Sequence, residues 1–66
     1  MEIILNGEPR EVPDGLSAAG LVALLELAGR RYAMEINGEL LPKSAQAAHR
    51  LAPGDRIEIV QAVGGG

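Results

Sequence analysis

The stretch of sequence that decides the fold is MEIILNGEPREV, residues 1–12. Its first five residues are mostly apolar and rich in β-branched side chains, which favours an extended strand. Asn6-Gly7 follows at once, and this pair is a strong hairpin signal because both central residues of a type I′ turn need a positive φ. The pattern predicts a strand at 1–5 and a return strand at about 10–12.

A helix is predicted after the turn residues Pro13-Asp14-Gly15. Ser17 is a suitable N-cap, because its hydroxyl can accept a hydrogen bond from a free amide of the first turn. Gly29 is expected to end the helix as its C′ residue. The apolar face of this helix is predicted from helical spacing and consists of Leu21, Leu24, Leu25 and Ala28.

The second half of the chain repeats the hairpin signal at Asn37-Gly38, after an alternating run at 33–36. Residues 44–49 have room for a single helical turn. The last strand is predicted at 56–63. In it Ile57 and Ile59 face inward, while Glu58 and Val60 face outward, since successive side chains of a strand point to opposite faces.

The predicted order is therefore hairpin, helix, hairpin and final strand. One helix linking two hairpins can cover only one face of a sheet, which gives a single two-layer α+β domain over residues 1–66. With the last strand beside the first, this is a β-grasp arrangement: a mixed sheet with one main helix packed on one face. A ferredoxin-like ββαβ variant is the alternative, and it requires a second full helix. The predicted core is Met1, Ile3, Leu5, Leu21, Leu24, Leu25, Met34, Ile36, Ile57 and Ile59.

The composition excludes several functions. The chain has no cysteine, which excludes disulfides, thiolate chemistry and Zn–S sites. Its net charge is −3, with no basic stripe beyond Arg30-Arg31, so nucleic acid is not expected as a partner. The longest apolar stretch, Leu21 to Leu25, is far too short to span a membrane, so no membrane is expected either. The chain opens directly on a strand pattern without a signal peptide, and the cytoplasm is the expected compartment. His49 stands alone, so neither a metal site nor a catalytic constellation is predicted.

The chain ends in Val63-Gly64-Gly65-Gly66, directly after the predicted last strand. Glycine loses more conformational freedom on folding than any other residue, so this segment is predicted to be a flexible tail. A tail without side chains is slim enough to thread a narrow channel and to present its terminal carboxylate to another protein. The alternative is a frayed end without a role.

In their order and spacing these motifs resemble the ThiS family, the ubiquitin-like sulfur carriers of thiamin biosynthesis. The resemblance covers the whole chain, with two departures: Gly20 replaces an acidic residue of the first helical turn, and Lys43 replaces a usual arginine. The matching motifs are Asn6-Gly7, Gly15-Leu16-Ser17, Leu24-Leu25, Asn37-Gly38, Leu41-Pro42-Lys43, the run 54–60 and the tail 63–66.

The resemblance implies a chemistry that takes place at Gly66. An E1-like, ThiF-like enzyme adenylates its carboxylate with MgATP, and sulfur from a cysteine desulfurase converts the adenylate to a thiocarboxylate. A ThiG-like thiazole synthase then receives the sulfur. Gly64 and Gly65 thread the partner's active site. The chain is a substrate and sulfur donor in this scheme, binds no cofactor itself and is not an enzyme.

A partner surface is expected beside the tail, on the sheet face opposite the helix. Its members are Ile4, Val60, Ala62 and Val63. Three alternatives stay open: the small subunit of molybdopterin synthase, a carrier for tRNA thiolation, and a β-grasp interaction module without chemistry. The molybdopterin branch tends to have a Pro-Pro pair before the tail, where this chain has Val60-Gln61-Ala62-Val63, which favours the thiamin branch.

Overall fold

Five strands and two helices follow one another in the computed structural model, which describes residues 1–62. The predicted tail, 63–66, lies outside the described residues. The elements are β1 (Glu2–Leu5), β2 (Glu8–Glu11), α1 (Ala18–Leu24), β3 (Tyr32–Ile36), β4 (Glu39–Leu40), α2 (Lys43–Gln46) and β5 (Arg56–Gln61).

The strands form one mixed sheet in the order β2-β1-β5-β3-β4. β5 lies in the centre, parallel to β1 and antiparallel to β3, and the two hairpins form the edges. α1 packs on one face through its buried residues. The predicted two-layer β-grasp arrangement is confirmed. Within residues 1–62 the second helix is a single turn, so the ferredoxin-like alternative is wrong.

Both predicted hairpin turns have the expected backbone. The φ angles are 51° and 83° at Asn6 and Gly7, and 52° and 84° at Asn37 and Gly38. The first return strand begins at Glu8, two residues earlier than predicted, because Leu5 already pairs with Glu8 across the two-residue turn.

The helix is capped as predicted at its start but ends earlier than predicted. Ser17 Oγ accepts a hydrogen bond from Gly20 N at 3.0 Å. At the other end Glu26, not Gly29, takes the left-handed C′ position, with a φ of 58°. Glu26 N donates to Ala23 O at 3.1 Å and Leu27 N to Val22 O at 3.0 Å, which is the bond pair of a Schellman motif. This ending directs Leu27 into the core.

The early end of the helix changes which residues reach the core. α1 buries Ala18, Leu21 and Val22, so the apolar face begins one turn earlier than predicted. Leu24 is 50% exposed and Ala28 lies beyond the helix in an exposed turn, so placing both on the buried face was wrong. Of the predicted core, these residues are buried: Ile3, Leu21, Met34, Ile36 and Ile57. These pack half-buried against it: Met1, Leu5, Leu25 and Ile59. These were missed: Val12, Ala18, Val22, Leu27 and Leu51.

Two leucines of α1 test this packing. Leu21 is fully buried, so Leu21→Ala is expected to lower the free energy of unfolding by about 3–5 kcal/mol, through lost transfer energy and a cavity. Leu24→Ala makes the same chemical change at a half-exposed site and should cost less than about 1 kcal/mol. Denaturant titration measures both values. Equal losses for the two variants would contradict the orientation of α1.

Candidate functional site

The candidate site is the end of β5, from which the chain leads to the glycine tail. We call Gln61 and Ala62, the last described residues, the tail root. β5 pairs with β3 along its whole described length, and Ala62 N extends this ladder by donating to Arg31 O at 3.1 Å. On the other side β1 pairs only with Arg56 and Ile57. Among the described residues, the second half of β5 therefore has a strand neighbour on one side only.

The asparagines of the two hairpin turns hold β5 from both sides. Asn6 Oδ1 accepts from Ile59 N at 2.8 Å, which adds one bond where β1 has already ended. On the β3 side, Asn37 Oδ1 accepts from Arg56 N at 3.0 Å. Asn37 Nδ2 also donates to Asp55 Oδ1 at 3.1 Å. The two turns thus position the strand that leads to the tail.

An apolar surface lies beside the tail root, on the open face, which is the sheet face opposite α1. Val60 is 66% exposed there and is directly opposite Ala33 on β3. Ala62 is exposed, and its place two residues after Val60 puts it on the same face. With Arg31, Tyr32 and Gln61 these residues line an open recess of about 330 Å³.

The other predicted surface residues lie apart from this recess. Ile4 is on the open face but half-buried, and it pairs with Arg56, four residues before Val60. At about 3.3 Å per residue this separates Ile4 from Val60 by about 13 Å along the sheet. Glu58 projects from the same face between them. Val63 lies outside the described residues. The structure therefore brings Val60 and Ala62 together and leaves Ile4 at a distance.

A polar cluster supports the β3 side of the recess. The Tyr32 hydroxyl donates a hydrogen bond to Gln46 Oε1 at 2.7 Å. This bond gives the side-chain oxygen of the buried Gln46 a hydrogen-bond donor. Lys43 Nζ lies 4.6 Å from the centroid of the Tyr32 ring, within the range of a cation–π interaction. The same Nζ donates to Arg30 O at 3.3 Å. These contacts hold α2 against the start of β3, beside the tail root.

The charges of the open face are mainly negative. Glu35 and Glu58 are direct cross-strand partners, and like charges in that position repel each other. Among residues 1–62, two groups have shifted pKa values, and both lie at the far end of β1. A hydrogen bond with the Met1 amino group lowers the pKa of Asp14, and the same bond raises the pKa of that amino group. Neither group contacts the tail root.

Residues 1–62 contain no cluster of side chains suited to binding a metal ion. No group of three or more His, Asp or Glu side chains stands close enough there to hold a metal ion. His49 is half-buried, and its backbone accepts from Ala18 N at 2.9 Å. No helix in the described part of the chain is long and apolar enough to cross a membrane.

Three features of the site were missed by the sequence reasoning. The side-chain bonds of Asn6 and Asn37 to β5 were not predicted, although the use of asparagine at both turns was a signal, since aspartate or glycine also suits that position. Ala33 was not assigned to the partner surface, because its contact with Val60 depends on strand order. Tyr32 carried a signal as the single aromatic residue.

Comparison with known proteins identifies the family. The family model described as "ThiS family" matches residues 3–66. The chain belongs to the ThiS family. A crystal structure of the thiamine biosynthesis protein ThiS from Geobacter metallireducens superposes with a TM-score of 0.85 at 32% identity, covering 100% of both chains. A solution structure of a thiamine biosynthesis protein from the same organism gives a TM-score of 0.84, also at 32% identity, covering 100% of this chain and 88% of that one.

Some curated relatives of this ThiS-family chain are much longer than it, and others are about as long. A thiazole synthase of Paramagnetospirillum magneticum is 36% identical over 66 residues, which is 100% of this chain but 20% of that protein. The chain thus spans about a fifth of this relative. The uncharacterized protein ycf40 of Porphyra purpurea is 36% identical over 66 residues and is covered to 93%. The predicted resemblance to the ThiS family is confirmed.

The bond from Asn6 to β5 can be tested separately from the turn. Asn6→Gly keeps a turn that tolerates positive φ but removes the acceptor for Ile59 N–H, so we expect a loss of about 1–2 kcal/mol in unfolding free energy. Hydrogen exchange at the Ile59 amide should accelerate more than exchange at the Met34 amide. Asn6→Asp keeps an acceptor and should preserve protection at Ile59. Loss of protection in Asn6→Asp alone would contradict the assigned bond.

Proposed function

We propose that this ThiS-family chain is a sulfur carrier of thiamin biosynthesis whose reactive group is the carboxylate of Gly66. The observation that supports it best is the combination of family and geometry. A central strand, bound from both sides by hairpin asparagines, leads into a segment ending in Gly64-Gly65-Gly66. The folded body positions the tail, and no described residue is assigned a catalytic role.

The chemistry follows from the low reactivity of a carboxylate. An oxygen of the Gly66 carboxylate attacks the α-phosphorus of MgATP in an E1-like, ThiF-like enzyme, and pyrophosphate leaves. The resulting acyl adenylate has a good leaving group, so the terminal sulfur of a desulfurase persulfide, formed from cysteine, can displace AMP. A thiol reductant then cleaves the S–S bond of the resulting acyl disulfide: the reductant supplies two electrons, is oxidised to a disulfide, and the desulfurase thiol is released. The product is a thiocarboxylate. The chain is a substrate in this scheme rather than an enzyme, and the ATP and Mg²⁺ belong to the activating partner.

Glycine suits this role at the end of the chain. A tail without Cβ atoms fits a narrow active-site channel and adopts backbone angles closed to other residues. Gly64 and Gly65 would occupy that channel while Gly66 reaches the nucleotide. All three lie outside the described residues, so their part in the proposal rests on the sequence and the family match.

A ThiG-like thiazole synthase is the proposed sulfur acceptor. In the relative named thiazole synthase, a segment similar to this chain forms 20% of one longer polypeptide. A shared polypeptide keeps two functional units close together, which supports a working contact between carrier and synthase. The same reasoning favours thiazole synthesis over molybdopterin synthesis and tRNA thiolation. The cytoplasm is the compartment that we propose for the reaction.

The surface around Val60 and Ala62 is the proposed contact for the activating enzyme. It is apolar, exposed and next to the tail root. Glu35 and Glu58 make the adjoining part of the open face negative, which favours a basic partner surface and faster association at low salt. Ile4 would contribute a separate contact at the β1 end of that face, and Val63 would extend the surface into the tail.

The chemistry predicts a defined change in mass. Incubation with the adenylating enzyme, a desulfurase, cysteine, a thiol reductant and MgATP should add about 16 Da to the intact chain, because sulfur replaces one carboxylate oxygen once AMP leaves and the acyl disulfide is reduced. Omission of ATP should prevent the gain. One residue added after Gly66 displaces the reactive carbon by about 3.3–3.6 Å and should also prevent it. Normal sulfur gain in an untrimmed extended chain would contradict the assignment of the reaction to the Gly66 carboxylate, and no gain in the wild-type chain under the complete conditions would favour the interaction module without chemistry.

Val60 and Leu24 form a matched pair for testing the docking surface. Val60→Glu puts a charge into the apolar contact, so pyrophosphate release should fall by at least 10-fold, a loss of about 1.4 kcal/mol or more in transition-state stabilisation. Leu24→Glu changes a comparably exposed residue on the helix side and should leave release rates near wild type. Circular dichroism checks that both variants fold. Equal rates for Val60→Glu and the wild type would remove this surface from the proposal.

A further inference from the structure

Within residues 1–62, the second half of β5 has a free backbone edge on the side of β1, beyond the point where β1 ends. Asn37 N donates to Arg56 O at 2.7 Å and Ala62 N to Arg31 O, so the even-numbered residues of this strand direct their backbone groups toward β3. The odd-numbered residues direct theirs to the opposite side. There Ile57 O accepts from Asn6 N at 2.9 Å. Gln61, next in the odd series after Ile59, faces the same side, where β1 has ended.

No backbone group within residues 1–62 bonds to Gln61 N–H across this edge. An open recess of about 390 Å³ lies beside it instead. Its walls come from the end of β1, the turn after α1 and the end of β5, and they consist of Leu5, Asn6, Leu25, Leu27, Ile59 and Gln61. The three half-buried apolar residues among them give this recess an apolar floor.

The outer edges of the sheet are protected in ways that this edge is not. β2 has Pro9 flanked by charged residues, and β4 is only two residues long. Proline, charge and shortness are the usual devices by which proteins prevent pairing of an edge with another chain. The free stretch of β5 is also short, but Ile59 and Gln61 are uncharged and neither is proline. An unprotected edge with an apolar recess beside it has the form of a site for strand addition.

The position of the edge indicates which protein would occupy it. If Gly66 is the reactive residue, as the proposed function holds, the four residues after Ala62 span at most about 13–14 Å. An enzyme that takes Gly66 into its active site must therefore bring its surface to within that distance of the tail root. The edge at Gln61 lies one residue before Ala62 and is therefore within reach of any such enzyme.

We propose that the enzyme that adenylates Gly66 adds an extended segment to the free edge of β5. Its main chain accepts a hydrogen bond from Gln61 N–H, and one of its apolar side chains enters the recess between Leu25 and Ile59. The inference rests on the proposed function. It adds a contact on the helix side of β5, distinct from the open-face surface around Val60.

Proline at position 61 tests the bond. Gln61→Pro removes the N–H that faces the free edge, leaves the β3 ladder intact and suits the extended backbone of an edge strand. Gln61→Ala alters the side chain equally but keeps the N–H. Adenylation is measured by ATP–pyrophosphate exchange with the ThiF-like enzyme. We expect the KM for the Gln61→Pro carrier to exceed that for Gln61→Ala by about 3- to 10-fold, as the loss of one hydrogen bond implies, with kcat little changed.

Hydrogen exchange supplies an independent readout in the wild-type complex. The Gln61 amide should gain protection on binding, whereas the Ala62 amide is already bonded to Arg31 O in the free chain. Equal KM values for the two variants, or no gain of protection at Gln61, overturns the inference. If the wild-type chain is still adenylated normally in that case, the proposed function stands without the edge contact. If the wild-type chain is not adenylated at all, both fall.

Two other occupants are distinguished by the same variants. A second copy of the chain would give a dimer of the free protein that Gln61→Pro dissociates, as measured by sedimentation. If a ThiG-like thiazole synthase occupies the edge instead, the Gln61→Pro chain should be adenylated normally, but its thiocarboxylate form should bind the synthase more weakly. Either result overturns the assignment of the edge to the adenylating enzyme.

Discussion

The central position of β5 is the constraint on which the rest of the molecule depends. This strand joins the two hairpins into one sheet, parallel to β1 and antiparallel to β3, and it also leads to the tail. Its alternate residues serve different purposes. Ile57 and Ile59 face the core under α1, whereas Glu58 and Val60 face the open side. Because one strand both closes the core and presents the tail, a change that loosens the core also displaces the candidate site.

The hairpin asparagines extend this dependence to the turns. A type I′ turn needs residues that tolerate positive φ, and glycine or asparagine meets that need. Asparagine adds a side-chain oxygen, which here accepts from the backbone of β5 at Ile59 and Arg56. In a domain this small, where burial leaves only a narrow margin of stability, such bonds between turns and the central strand matter more than in a larger protein.

The two faces of the sheet have separate roles. The helix side buries an entirely aliphatic core, since the single aromatic residue, Tyr32, lies at its margin and bonds to Gln46. The open face keeps exposed apolar residues near the tail root and a repelling pair of glutamates beside them. An arrangement that favours stability alone would avoid both features. Their presence is consistent with a surface selected for contact with other proteins, as the proposed carrier function requires.

Much of the fold was determined by local sequence. The turn pairs Asn6-Gly7 and Asn37-Gly38, the cap Ser17 and the alternation in the last strand each depend on neighbours in the chain, and all were predicted correctly. The order of these elements also restricts the sheet to few topologies, so β-grasp followed. The glycine ending likewise pointed to the ThiS family without any knowledge of contacts.

Tertiary structure alone decided what depends on residues distant in sequence. The left-handed C′ residue after the helix is Glu26 instead of Gly29, because burial of Leu27 outweighed the preference for glycine at a left-handed position. Leu24 was left half-exposed for the same reason, and Val12 and Leu51 entered the core from loops without periodicity. The register of β5 against β1 and β3 separated Ile4 from Val60, placed Ala33 beside Val60 and left the edge at Gln61 free. Periodicity predicts which face of a strand a residue occupies, but the neighbour on that face is set by pairing between strands far apart in the chain.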